Sequence, residues 1–341
     1  MATIKEIADL AGVSRGTVDR VLNKRGSVNP QTAQKIMEIV HALDYKPNRA
    51  GLVLAAQKKN LKLGVILFGE GNPFFDEVTA GIHQKEEDLA CYNCTVQIKR
   101  VNVDTLEQLQ AIDEFVKEGI NGIAISPTND PRLARRIDEL FEQGIPVVAL
   151  NTDIKNCKRI AFVGSNYYQS GATAAGLMRL MAKNESTKIG IVTGSEEILC
   201  HTERIAGFTN AIQSYPNIDI VATITNDDDD FVSYDKTTRL LTEHPEINAL
   251  FFAAAGVYGG CRAALAMRGQ KKDMTIITFD KVATTKEMVA KDVISATICQ
   301  EPLVQGSKPL DILFSYLATG DLPKSEYNYT AVDIRIKENM D

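Results

Sequence analysis

Apolar residues recur at helical spacing three times near the start of the chain. Ile4, Ile7, Ala8 and Ala11 form one stripe, and Val18, Val21 and Leu22 form a second. Ala33, Ile36, Ile39, Val40 and Leu43 form a third. Steps of three and four residues place each set on one face of a helix. The punctuation agrees. Thr3-x-x-Glu6 is a capping box, and Gly12 ends the first helix because glycine tolerates the left-handed conformation there. Ser14 caps the second helix, and Asn29-Pro30 opens the third. Two short helices joined by a glycine-containing turn form a helix-turn-helix. Pro47 then stops the pattern, and Asn48 caps one more short segment running to Ala56. A helix that short is marginal alone, and Gly51 costs it about 1 kcal/mol relative to alanine, so it orders only when held.

From Leu61 the pattern changes. The β-rich runs Leu63–Phe68, Gly122–Ser126, Pro146–Leu150, Lys188–Thr193, Ala249–Ala253 and Thr275–Phe279 alternate with helical stretches. That alternation predicts βαβ units and parallel sheets, an α/β body behind an all-α head. The body, residues 61–341, is longer than one such sheet usually needs, so two lobes are expected.

Composition adds three things. With 44% apolar residues in 341, a sizeable core is available. No run reaches the roughly 18 apolar residues of a membrane helix, and the start lacks a basic-then-apolar signal pattern, so a soluble cytoplasmic protein is expected. Six cysteines in this length are not a disulfide framework. The net charge of −6 points away from nucleic acid until it is divided. Residues 1–60 hold ten bases and five acids, a net +5, which leaves −11 on the remainder. A basic head on an acidic body suits a head that meets a polyanion.

The second helix offers Arg15, Gly16, Thr17, Asp19 and Arg20 near its N-terminus, the end that enters the major groove in this motif. Arginine can donate twice to guanine and aspartate can accept from cytosine. Thr17 and the first backbone amides can hold phosphate. Arg15 and Asp19 also have the spacing of a surface ion pair, worth about 0.3–0.5 kcal/mol, and the two roles are compatible. In the body, ligands of open α/β sheets bind beyond the carboxyl ends of the strands. Those ends carry Asn72-Pro73-Phe74-Phe75, Ser126-Pro127-Thr128, Asn151-Thr152-Asp153, Gly194 to Arg204, Ala254-Ala255-Gly256 and Asp280. Ordinary turn chemistry accounts for many such residues singly. Together they give a few polar groups beside aromatic faces, which suits a sugar or polyol.

Other signals are weaker. Cys91-x-x-Cys94 lacks the second pair of a zinc site. Asp227–Asp230 reads as a solvated loop leading to Phe231, without the spaced ligands of a calcium loop. His201 lies in the Arg204 loop. No Ser/His/Asp constellation, Walker loop or dinucleotide fingerprint is present, so neither an enzyme nor a cofactor or metal is expected.

Thr3-Ile4-Lys5-Glu6-Ile7-Ala8, Ala11-Gly12-Val13-Ser14-x-x-Thr17-Val18-x-Arg20-Val21-Leu22-Asn23 and Tyr45-x-Pro47-Asn48-x-Ala50 resemble the head and hinge of the LacI/GalR transcription-regulator family. The resemblance implies DNA contacts from Thr3, Ser14, Arg15, Gly16, Thr17, Asp19, Arg20, Asn23 and Asn48. Arg15 and Gly16 occupy the base-selecting positions. Leu54 matches the hinge leucine that wedges into the minor groove. Asp19 departs from the serine of many members, and Gly16 offers no side chain.

Asn72-Pro73-Phe74-Phe75, Glu203-Arg204-x-x-Gly207-Phe208, Phe279-Asp280 and Ala296-Thr297-Ile298-x-Gln300 resemble type I periplasmic sugar-binding proteins of the ribose kind. The resemblance implies effector contacts from Asn72, Phe74, Phe75, Arg204, Phe231, Asp280 and Gln300, and the strand ends add Ser126, Asn151 and Ala254. Asn151-Thr152 stands where Asp-Arg is usual, and Ala254 or Ala255 where asparagine is usual, which argues against ribose itself. The implied division is a DNA-binding domain at 1–46 and a hinge helix and linker at 47–60. An N-terminal lobe follows at 61–164 plus 301–326, and a C-terminal lobe at 165–300 plus 327–341. The expected protein is a homodimeric regulator, in all expectation a repressor, that binds pseudo-palindromic operator DNA under control of a sugar or polyol. The alternative is a sugar-binding receptor with no DNA role.

Overall fold

The computed structural model describes residues 4–22, 28–43, 59–68, 71–182, 186–267 and 274–341. The chain divides into two compact units, Met1–Ala55 and Ala56–Asp341.

The first unit contains helices Ile4–Ala11, Arg15–Leu22 and Pro30–Ala42. Their apolar stripes meet in a small core of Ile7, Ala8, Ala11, Val18 and Ile36, flanked by Val13, Val21, Ile39 and Val40. The turn between the first two helices is fixed locally. Gly12 has φ +72°, and Val13 N–H donates to Ala8 O at 3.0 Å. Ser14 Oγ accepts Thr17 N–H at 3.1 Å, so Ser14 caps the second helix. Lys35 Nζ reaches the carbonyl of Ala11 at 3.1 Å, tying the third helix to the end of the first. Asn29 accepts Gln31 N–H at 2.9 Å and Pro30 follows in the first turn. The expected hinge helix, with Asn48 and Leu54, lies outside the described residues.

The second unit holds two six-stranded sheets. In the first lobe the strands are β1 Lys62–Leu67, β2 Thr95–Arg100, β3 Gly122–Ile125, β4 Val147–Leu150, β5 Ala161–Gly164 and β11 Tyr327–Tyr329. They lie in the order β11-β5-β4-β3-β1-β2, all parallel. The second lobe has β6 Thr187–Thr193, β7 Ile218–Thr225, β8 Ala249–Phe252, β9 Thr275–Phe279, β10 Ala296–Cys299 and β12 Asp333–Arg335. Its order is β12-β10-β9-β8-β6-β7, with only β12 antiparallel. Central strands such as β3, β4, β5 and β8 are buried at every position, as expected where helices cover both faces of a parallel sheet.

The chain passes between the lobes three times: after Gly164, at Gln300–Glu301, and between Tyr329 and Asp333. The third passage corrects the expected one at Glu326. Residues 327–329 pair with β5 in register Tyr327 to Phe162, and so belong to the first sheet. The passages are laced together by buried hydroxyl and amide groups. Ser165 Oγ lies 3.0 Å from Thr330 Oγ1, which donates to Gln300 O at 3.1 Å. Gln305 Nε2 also donates to Gln300 O, at 2.7 Å.

Candidate functional site: an inter-lobe cleft and an exposed helix N-terminus

The carboxyl ends of both sheets open on one cleft of about 520 Å³. Nine of the ten residues singled out from the sequence line it: Asn72, Phe74, Phe75, Asn151, Arg204, Phe231, Ala254, Asp280 and Gln300. Ser126 does not. It is buried below the cleft, where its Oγ donates to Leu150 O at 3.1 Å and braces β3 against β4. Asn102, His201, Asp228 and Thr284 also line the cleft. Asn102 follows β2, an edge strand whose polar alternation hides it in the sequence. Asp228 sits in the acid run, which is not simply solvated. Asp229 caps helix Asp230–Glu243 through Phe231 N–H and Val232 N–H, and Asp230 accepts Gly259 N–H at 2.9 Å. Cys91 is exposed and Cys94 is a buried free thiol.

Each lobe supplies its share through helix starts. Asn72 Oδ1 accepts Phe74 N–H at 3.0 Å, capping helix Pro73–Ala90 and leaving its amide hydrogens for the cleft. Phe74 and Phe75 sit edge to face at 5.4 Å. From the second lobe, Arg204 projects from helix Leu199–Ile212, which packs backbone to backbone on helix Tyr167–Met181. A Cβ at Gly171 would stand 1.9 Å from Arg204 O, and one at Gly207 1.9 Å from Tyr168 O, so only glycine permits this approach. Arg204 Nη1 donates to Ala253 O at 2.9 Å, and its guanidinium lies 3.8 Å from the Phe279 ring centroid.

The cleft is polar where it is deepest. Gln300 Nε2 donates to Asp280 Oδ1 at 2.8 Å. Arg204 and Gln300 are only 4% and 3% exposed, yet Arg204 Nε and Gln300 Oε1 find no protein partner. A buried polar atom left unpaired costs about 1–3 kcal/mol, so an orphan donor and an orphan acceptor in one cleft mark where a ligand's polar groups go. Phe231 is 87% exposed, a large apolar face left uncovered at the cleft. Asn151 has φ +63°, and its amide donates to Gln305 Oε1 at 3.2 Å, which joins the cleft to the laced passages.

Burial pushes the Asp280 carboxyl up to about 6, against the opposing pull of Arg204 and Gln300. Its native state therefore holds the proton more tightly than the unfolded chain, so this group's contribution to stability is lost as pH rises through about 6. The ionised form accepts more strongly from ligand hydroxyls than the protonated one. Affinity for a hydroxyl-bearing ligand that donates to Asp280 is expected to fall as pH drops from 7.5 to 5, and to fall less in Asp280→Asn. Calorimetric titration at the two pH values checks this.

In the head, Ser14, Arg15, Gly16 and Arg20 are exposed along the second helix, and Thr17 is half-buried. Ser14 Oγ and Thr17 Oγ1 lie 2.9 Å apart, and Arg20 Nε donates to Gly16 O at 3.2 Å. Thr3, Asn23, Asn48 and Leu54, and the side chain of Asp19, lie outside the described residues. A Cβ at Gly16 would meet only Ser14 Oγ, at 3.8 Å. Gly16→Ala is therefore expected to stabilise the head by about 0.4–1 kcal/mol, as alanine does at a compatible helical glycine, while changing which bases of a bound duplex are preferred. In vitro selection from a randomised duplex pool reads that change.

Residues 3–48 match the lacI family of bacterial regulatory proteins, and residues 63–321 match the periplasmic binding protein domain. The chain belongs to the periplasmic binding protein domain family, and its head matches the lacI family. The body is the periplasmic binding protein domain, and the head is the helix-turn-helix. Relatives include a ribose operon repressor of Halalkalibacterium halodurans, 24% identical over 89% of this chain and 86% of that one. A probable transcriptional repressor of Bacillus subtilis, ExuR, is 28% identical over 83% of this chain and 82% of its own. Among solved structures, the arabinose binding protein AraP of Geobacillus stearothermophilus is 27% identical with TM-score 0.68, covering 82% of this chain and 98% of that one. The chain thus joins a lacI-type DNA-binding head to a body of the periplasmic-binding-protein fold, the organisation of a DNA-binding regulator. Among the described residues no helix is long and apolar enough to cross a membrane.

Proposed function

We propose that the protein is a cytoplasmic repressor that binds pseudo-palindromic operator DNA as a homodimer and is controlled by a neutral sugar or polyol held between its lobes. The observation that carries the effector is the deep end of the cleft. An orphan Arg204 Nε, an orphan Gln300 Oε1 and the Asp280 carboxylate stand beside the aromatic faces of Phe74, Phe75 and Phe231. Hydroxyls both donate and accept, so a polyol satisfies all three polar groups, and its C–H face covers the rings. The sugar-specific names of the relatives favour the same class.

On DNA, two heads would read half-sites one helical turn apart, about 34–36 Å. The exposed Arg15 and Arg20 would meet base edges, Ser14 and Thr17 phosphate. Leu54 would wedge into the central minor groove. Leu54→Ala is expected to weaken operator binding at least tenfold and leave binding to random-sequence DNA nearly unchanged. Anisotropy titrations on both duplexes separate the two, and an equal loss on each would remove the wedge role. The effector acts by favouring one lobe arrangement. The laced passages at Ser165, Gln300 and Thr330 are the elements that such a change must repack. A thermal-shift screen of sugars and polyols against the full chain tests the effector class. Stabilisation by none of them contradicts it.

A further inference from the structure

Across the cleft from the first lobe's aromatic pair lies a second recognition element, of a histidine and an aspartate. His201 is 7% exposed, and with Asp228 it lines the cleft. Both side chains occupy space that Gly194, at the end of β6, leaves open. A Cβ there would stand 2.5 Å from Asp228 Oδ2 and 2.6 Å from His201 Cε1. His201 Nδ1 lies 3.2 Å from the carbonyl of Ser195, so it carries a hydrogen; burial lowers the ring's pKa but Cys200 and Asp228 beside it raise it overall, which favours a hydrogen on Nε2 as well. Nε2 faces Asp228 Oδ1 at 3.9 Å, beyond hydrogen-bond reach. Asp228 Oδ1 accepts Ala255 N–H at 2.8 Å, and the carboxylate keeps further acceptor sites. A donor and an acceptor thus face each other across a gap that a hydroxyl, which both accepts and donates, can bridge.

Resting on the sugar and polyol reading of this cleft, we propose that His201 and Asp228 are specificity-determining residues that bridge an effector hydroxyl, His201 donating to it and Asp228 accepting from it, and that Asp228 turns away carboxylated and phosphorylated sugars. The charge of the cleft points the same way. Asp228 and Asp280 both face it, and Arg204 is engaged with Ala253 O and the Phe279 ring. An anionic substituent at this end meets the Asp228 carboxylate at contact. A hydroxyl accepts from His201 and donates to Asp228. Asp228→Asn keeps the carbonyl oxygen that Ala255 N–H requires and removes the charge. It therefore separates recognition from the structural role.

The test is affinity of the full chain for D-ribose, D-arabinose, D-galactose, D-glucose and myo-inositol, each compared with D-galacturonate, D-glucuronate, ribose 5-phosphate and glucose 6-phosphate. Wild type, Asp228→Asn and His201→Gln are titrated calorimetrically, with melting temperatures taken without ligand. The proposal expects at least one neutral compound to bind wild type and no anionic one to match it. Each variant should bind that neutral compound at least tenfold more weakly. In Asp228→Asn the preference for neutral over uronate should also shrink at least tenfold, which a merely structural role would not produce. Neutral binding within twofold of wild type in both variants, or anionic binding to wild type as tight as neutral, overturns the proposal and leaves the sugar reading standing. Binding of none of the compounds overturns both. If Asp228→Asn does not fold, His201→Gln decides by the same tenfold criterion.

Discussion

Asp280→Ala is expected to abolish the effector response while operator binding persists. The residue follows β9 with φ +67°, and its backbone N–H donates to Ile298 O at 2.8 Å, so the turn that aims it is held by the sheet itself. Its carboxylate already accepts one hydrogen bond, from Gln300. The remaining lone pairs face the cleft, where a ligand hydroxyl completes them. Hydrogen bonds to a charged group contribute about 1.5–3 kcal/mol, so loss of the carboxylate weakens effector binding by about tenfold to over a hundredfold. Gln300 Nε2 loses its acceptor in the same step. The melting temperature without ligand is expected to stay near wild type at pH 7.5, because burial makes the ionised carboxylate unfavourable in the native state. Calorimetry with the stabilising sugar, beside an operator titration, reads both halves of the expectation. A variant that loses DNA binding together with sugar binding would place Asp280 in the structure rather than in the site.

Removal of residues 1–60 is expected to have the largest effect on DNA. That segment holds the +5 of the chain, and the remainder carries −11. An acidic body repels phosphate, so specific affinity should fall by at least about 10³-fold, the usual gap between specific and nonspecific binding. The salt dependence should vanish with it, since each neutralised phosphate contributes about −0.9 to the slope of log affinity against log salt. The sensor forms a unit of its own, Ala56–Asp341, with its cleft entirely inside it. Sugar-induced stabilisation should therefore survive the truncation, and it serves as the check that the sensor is still folded. Residual operator binding with an unchanged salt slope would show that the phosphates are met elsewhere.

The sequence makes some of this architecture plain and conceals the rest for physical reasons. Runs such as Gly122–Ser126 and Ala249–Ala253 are legible because strands covered on both faces must be apolar throughout. The edge strands β2 and β7 are not, because half of their positions face solvent and take polar residues. Asn102 is hidden with β2. The three-residue strand β11 is too short to leave a pattern, and that is why the third passage is displaced from Glu326 to residues 330–332. Cleft residues such as Asn72 and Asp280 are legible because strand ends are where an open sheet binds ligand. Ser126 satisfies the same rule but turns its hydroxyl under the floor to Leu150. Asp228 was obscured by its neighbours. Four consecutive acids look like a solvated run, and only the fold separates a helix cap at Asp229 from a cleft-facing carboxylate at Asp228.

The central claim is that one molecule joins operator binding to sugar binding. Coupling free energies between such sites are typically about 1–3 kcal/mol, or about 5- to 150-fold in affinity. The direct measurement is a fluorescence-anisotropy titration of the full chain on a palindromic duplex selected in vitro, with and without a saturating amount of the sugar that stabilises it most. The account predicts a change in operator affinity of at least about fivefold, absent in Asp280→Ala. An affinity that stays the same with and without a sugar shown to bind would contradict it.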